Sequence, residues 1–183
     1  MKTRIPSFLH EVFGESQSPG ELLAIAITGL GISTGLFLLF PEITRGMPLW
    51  RTVISYLLIL DIACGCIANF TRGTSDHYAA RPGQRLVFIL VHVHILVIAW
   101  LLKVDLQNAF LVWIYTISGA LIVNASKQSR FQLFIGGLFL TIGIFLVVIA
   151  VEGSRYFLVV ALLFMVKVLF SFAVDHYGHA QAS

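Results

Sequence analysis

Residues 131–151 read FQLFIGGLFLTIGIFLVVIAV, a run without a single charged side chain. An α-helix rises about 1.5 Å per residue, and about 20 apolar residues cross the hydrocarbon core of a bilayer. This run is long enough for one crossing. It is also apolar on every face, which a helix resting on a soluble core has no need to be. It predicts a transmembrane helix.

Working outward, apolar stretches at 21–40, 50–70, 85–102, 106–124 and 156–174 predict five more spans. The loops between them carry clear punctuation. Pro41 and Pro48 flank the first, Gly73 and Pro82-Gly83 mark the second, and Lys103-Val104-Asp105 makes a tight third. Lys127-Gln128-Ser129-Arg130 and Glu152-Gly153-Ser154-Arg155 form the fourth and fifth. Of the 183 residues, 58% are hydrophobic and only 11% charged, against about half and about a quarter in soluble domains. The expected fold is all-α: one bundle of six transmembrane helices over 21–174, with a segment 1–20 before it and a tail 175–183 after it. No soluble catalytic domain fits in the loops.

In the first segment, Phe8, Leu9, Val12 and Phe13 share one helical face between Pro6 and Gly14. They predict a short interfacial helix lying on the membrane. The polar character of residues 1–20, with Glu11 and Glu15, is not that of a cleavable signal. The net charge of +3 is modest, and no basic patch interleaves with aromatics. Nucleic acid is therefore not an expected partner; the lipid bilayer is.

Orientation follows from the basic residues on each side. Lys2, Arg4, Arg72, Arg81, Arg85, Lys127 and Arg130 fall on the side of both termini, and Arg45, Arg51, Lys103 and Arg155 on the other. The expectation is a multi-pass protein of a cell (inner) membrane with cytoplasmic N- and C-termini. Trp50, Trp100 and Trp113 then fall near the outer interface. Gly31 and Gly35, and Gly136, Gly137 and Gly143, are candidate close-packing positions between helices or between subunits of an oligomer. Cys64 and Cys66 lack redox-pair spacing and read as small buried residues pointing opposite ways.

Two charges lie inside spans. Asp61 is in mid-span two, where a charge costs at least about 2.5–3.5 kcal/mol, so it calls for a partner or a task. Lys167 lies at similar depth in span six, and the opposite charges suggest an ion pair. Asp61, Gly65, Asn69 and Arg72 form one helical stripe, and Lys167, Ser171 and Asp175 another.

All six histidines map to the same half of the bundle or its flanking segments. His92 and His94 sit near the depth of Asp61 but two apart, so a regular helix sends them to nearly opposite faces. His92 is the candidate for the bundle centre, because Arg85 and Phe88 share its face. His77, His92, His176 and His179 are candidate ligands for a zinc or iron ion. A bis-histidine haem requires a second imidazole on a facing span, and no other span has one.

Two functions share these residues. One is a metal-dependent membrane enzyme acting on a lipid or other apolar substrate. Its ligands would be the four histidines and its catalytic groups Asp61, Lys167 or Asp175, with Asn69, Ser171 and Arg85 lining the cavity. The other is a small transporter or channel that uses Asp61 and Lys167. A non-catalytic membrane subunit or sensor is a third.

Overall fold

The computed structural model describes residues 3–151 and 154–178. Among these residues, six helices are long and apolar enough to cross a membrane: Pro19–Leu39, Leu49–Ala68, Pro82–Leu102, Leu106–Ala125, Gln132–Ala150 and Arg155–Phe172. The chain is a polytopic all-α protein. We label the elements α1 (His10–Phe13), α2 (Pro19–Leu39), α3 (Leu49–Ala68), α4 (Arg72–Ala79), α5 (Pro82–Val91), α6 (His94–Leu102), α7 (Leu106–Ala125), α8 (Gln132–Ala150) and α9 (Arg155–Met165). Span three is thus α5 and α6 together. Span six is α9 continued by a π-helix over Val166–Phe172.

Local chemistry sets several boundaries. Ser18 and Glu21 form a reciprocal capping box at the start of α2, with Pro19 in its first turn. Asp105 caps α7 by accepting from the Gln107 and Asn108 amides. Lys103, at φ 54°, takes the left-handed turn that ends α6.

Span six is the axis of the bundle. Of its residues 61% are buried inside the protein, against 17% over the most apolar part of α8. Glycines on three other helices explain how neighbours come so close. A Cβ added at Gly119 would stand 2.8 Å from Leu169, and one at Gly136 2.7 Å from Val174. One at Gly143 would lie 2.9 Å from the Met165 sulfur, and one at Gly65 2.8 Å from Lys167 Cδ. Lipid supplies no hydrophobic drive between helices, so such close approach is where packing enthalpy comes from.

The glycines singled out in span one behave differently. Gly31, Gly35 and also Gly137 have no neighbouring atom within 4 Å of an added Cβ. Gly29 is the packing glycine of α2, seated on Cys64. Cys64 and Cys66 do point apart: the first faces the Ile25 carbonyl on α2, the second donates to the Leu163 carbonyl at 3.1 Å.

The N-terminal helix is shorter than its apolar pattern suggests. Ser7–Leu9 is 3-10 and His10–Phe13 a single α turn, bracketed by an antiparallel pair in which Thr3 faces Gln17 and Arg4 faces Ser16. This segment is fastened onto α4, a helix inside the second loop, by polar contacts. Gln17 Nε2 donates to Thr71 Oγ1 (2.5 Å) and to the Phe13 carbonyl, and Tyr78 donates to the Glu11 carbonyl at 2.9 Å. Gly14, at φ 68°, sets its backbone directly against Gly73, where no side chain fits. Phe8 is left 80% exposed. At the other end of the chain, Tyr177 donates to the Phe70 carbonyl, so both described chain ends meet at one end of the bundle.

Candidate functional site

Asp61 and Lys167 meet inside the bundle. Lys167 Nζ lies 2.5 Å from Asp61 Oδ2, bringing spans two and six together in the halves nearer the described chain ends. The partners are unequally sealed: the Lys167 side chain is 3% exposed and that of Asp61 42%. A buried ammonium without a counter-charge is costly, and the carboxylate supplies it.

The local backbone explains how lysine reaches this place. Gly65, one turn beyond Asp61, leaves a trough on α3 in which the Lys167 methylenes lie. The π-helix widens the turn, and the groups around it hold its carbonyls. The Lys167 carbonyl accepts from Ser171 Oγ (2.9 Å) and from Asn69 Nδ2 (3.4 Å). Asn69 and Ser171 therefore hold the backbone that carries the lysine. π turns recur at functional sites, where they displace one side chain from the helical register.

Span three is broken at the same place. His92 (φ −75°, ψ 72°) ends α5, and Val93 (φ −96°, ψ 8°) precedes α6. The break cancels the argument that His92 and His94 must face opposite ways. Over Val91-His92-Val93-His94 burial alternates: the valines face outward and both imidazoles inward. His94 Nε2 lies 3.5 Å from Asp61 Oδ2, the oxygen that Lys167 also holds, and the two imidazoles are 5.0 Å apart. So His94, which the regular-helix argument set aside, contacts the ion pair, and His92 stands behind it.

A break inside a bilayer frees backbone groups that need partners. Here Trp113 donates its indole N–H to the His92 carbonyl at 3.0 Å. Trp113 is accordingly inside the bundle and away from the interface to which its type pointed. Trp50 and Trp100 do pair at a helix end, with the Arg51 guanidinium 5.8 and 5.3 Å from their rings. Beyond His92 the rings of Phe88, Phe172 and Tyr78 are in mutual contact, Phe88 stacked on Phe172 at 3.9 Å.

The remaining candidate residues go elsewhere. Arg85 caps span six, its Nη2 donating to the Phe172 and Ala173 carbonyls at 3.0 and 2.9 Å, a favourable place for a cation. Asp175 builds the turn after span six by accepting from the Tyr177 and Gly178 amides. His176 packs between Phe70 and Phe170. His77 belongs to a surface cluster with Glu15, Arg81 and His10. The structure thus distributes His77, His92 and His176 over three surroundings, and His179 lies outside the described residues. Among the described residues, no three His, Cys, Asp or Glu side chains are gathered as a metal-ligand set.

The surface cluster has its own electrostatics. Arg81 bonds Glu15 at 3.0 Å and holds its carboxyl below the usual range. Burial, reinforced by Arg81, lowers the His77 imidazole. A cavity of about 340 Å³ opens beside them, lined by Glu15, Asp76, His77 and Arg81.

The assembled centre of the molecule is therefore Asp61, Lys167, His94 and His92, flanked by two irregular helices. Compared with known protein families, curated proteins and solved structures, the chain matches none of them.

Proposed function

We propose that the chain is a small membrane transport protein that moves an ion or small charged solute by making and breaking the Asp61–Lys167 pair. One observation carries this reading: a broken helix and a π-helix converge, within the bundle, on a carboxylate shared by a lysine and a histidine. Interrupted helices near the midplane are how transporters create binding groups where a regular helix offers none. Intramembrane charges mark ion pathways and relays. The alternative, a metal-dependent enzyme acting on a lipid, has no assembled ligand set among the described residues. We also propose a cell-membrane location with cytoplasmic termini, from the surplus of Lys and Arg at the end where both termini meet.

The test is charge displacement by purified protein in liposomes adsorbed on a solid-supported membrane, after jumps in H⁺, Na⁺, K⁺, ammonium or chloride. At least one jump is expected to give a transient that Asp61→Asn and Lys167→Met abolish. Transients that persist in both variants, or none for any ion, would overturn transport at this site.

A further inference from the structure

His92 and His94 leave a specific chemical question open. His92 Nδ1 pairs with the Phe88 carbonyl, which accepts only, so Nδ1 carries the proton and Nε2 is a lone pair. His94 Nε2 faces the Asp61 carboxylate, also an acceptor, so the His94 lone pair is on Nδ1. These two nitrogens, His92 Nε2 and His94 Nδ1, are both buried and have no hydrogen-bond partner in the protein. His92 as a whole is 3% exposed. The rings are 5.0 Å apart with no direct bond between them. Each buried acceptor needs a donor, because leaving it unmade costs about 1–3 kcal/mol, and the two sit on rings only 5.0 Å apart. A water molecule, with one hydrogen for each nitrogen, is the smallest group that satisfies both.

Resting on the transport reading above, we infer that the species moved is the proton, relayed along Asp61, His94, a bridging water and His92. The step balances without any co-reactant. His94 Nδ1 takes a proton from the water side and Nε2 releases one to Asp61 Oδ2. The incoming proton reaches His92 Nε2 through the water and is handed back through it to His94. The His94 imidazole ends neutral in the opposite tautomer and turns over to restore Nε2–H before the next proton. Protonated Asp61 no longer attracts the Lys167 ammonium, so pair and relay are coupled. The charged groups facing the imidazoles are Asp61 from α3 and Lys167 from span six. Asp61 is the outlet: its Oδ1 has no partner among the described residues, and its side chain is 42% exposed. Imidazoles suit this task because each ring both accepts and donates.

The experiment uses proteoliposomes containing a pH-sensitive dye, with a potassium gradient and valinomycin to drive inward H⁺ flux. Wild type is expected to acidify the lumen, Asp61→Asn to abolish this, and His92→Phe and His94→Phe each to slow it on the order of 10²-fold. Proton flux unchanged in both histidine variants would overturn the relay and leave transport at Asp61 standing. So would Asp61-dependent transients with Na⁺, K⁺ or chloride but no H⁺ flux in wild type. If the variants fail to fold, ¹⁵N-histidine spectra of wild type in bilayers decide. The inference expects His92 as the Nδ1–H tautomer and His94 as Nε2–H, with water cross-peaks to both lone-pair nitrogens. Reversed tautomers, or no water contact, would overturn it.

Discussion

The methylenes of Lys167 lie in the trough left by Gly65, so closely that a Cβ at Gly65 would fall among them. Gly65→Ala therefore forces the lysine chain to shift in its trough, against the ammonium's hold on Asp61. Overpacking of this kind costs about 1–3 kcal/mol. The expected outcome is a lower thermal midpoint in detergent together with loss of the Asp61-dependent transient. Ala at Gly31, where nothing is within 4 Å, should leave both unchanged.

The unequal burial of the ion pair predicts unequal variants. Asp61→Asn strands a buried ammonium, at about 3–5 kcal/mol for a broken buried pair. Lys167→Met leaves a carboxylate that still has His94 Nε2 at 3.5 Å and should cost less. The double variant Asp61→Asn/Lys167→Met should recover most of the stability lost by Asp61→Asn. Thermal unfolding of all three gives the coupling energy, and additive losses would show that the pair contributes nothing to stability.

Trp113→Phe keeps a ring but removes the donor to the His92 carbonyl. An unmade bond to a buried carbonyl costs about 1–3 kcal/mol, and here it also unpins the break in span three. A lower unfolding midpoint and faster amide exchange at residues 92–96 are expected. Unchanged exchange would mean that the break needs no support from α7.

The N-terminal segment should loosen as pH falls. The His77 pKa is lowered in the folded protein, so its contribution is present above the ordinary imidazole value, about 6.5, and is lost as pH falls below it. The Glu15 pKa is also lowered. Its contribution is present above the ordinary carboxylate value and is lost at more acidic pH still. Hydrogen exchange of residues 3–17 should therefore rise in two steps on acidification, and His77→Gln should remove the first.

How much of this was legible in the sequence depends on whether the helix was regular. The six spans were readable because length and hydropathy are local quantities. The Asp61–Lys167 meeting was readable because depth follows from counting residues along regular spans. His94 escapes a count that takes the helix as unbroken through Val91-His92-Val93-His94. The signal was present all the same: alternating β-branched and polar residues favour a period of two, and that is how they are buried. Residue type alone sends Trp113 to the interface, because it says nothing of the His92 carbonyl that the indole satisfies. Gly29 and Gly65 carry the packing that the Gly31–Gly35 spacing advertised. A spacing motif tells which residues share a face and says nothing of which face meets a neighbour. α4 and the docked N-terminus depend on contacts such as Gln17 with Thr71, which no local pattern encodes.

The π stretch over Val166–Phe172 has a consequence for the evolution of this chain. Each wide turn holds one residue more than an α turn requires, so a deletion there could be absorbed by tightening, without breaking the span. Everything after it would rotate in phase: the carbonyls of Phe172 and Ala173 would leave Arg85, and Tyr177 would leave Phe70. Relatives one residue shorter in this stretch should thus be foldable bundles that keep the lysine near its acid but lose the Arg85 cap and the Tyr177 tether.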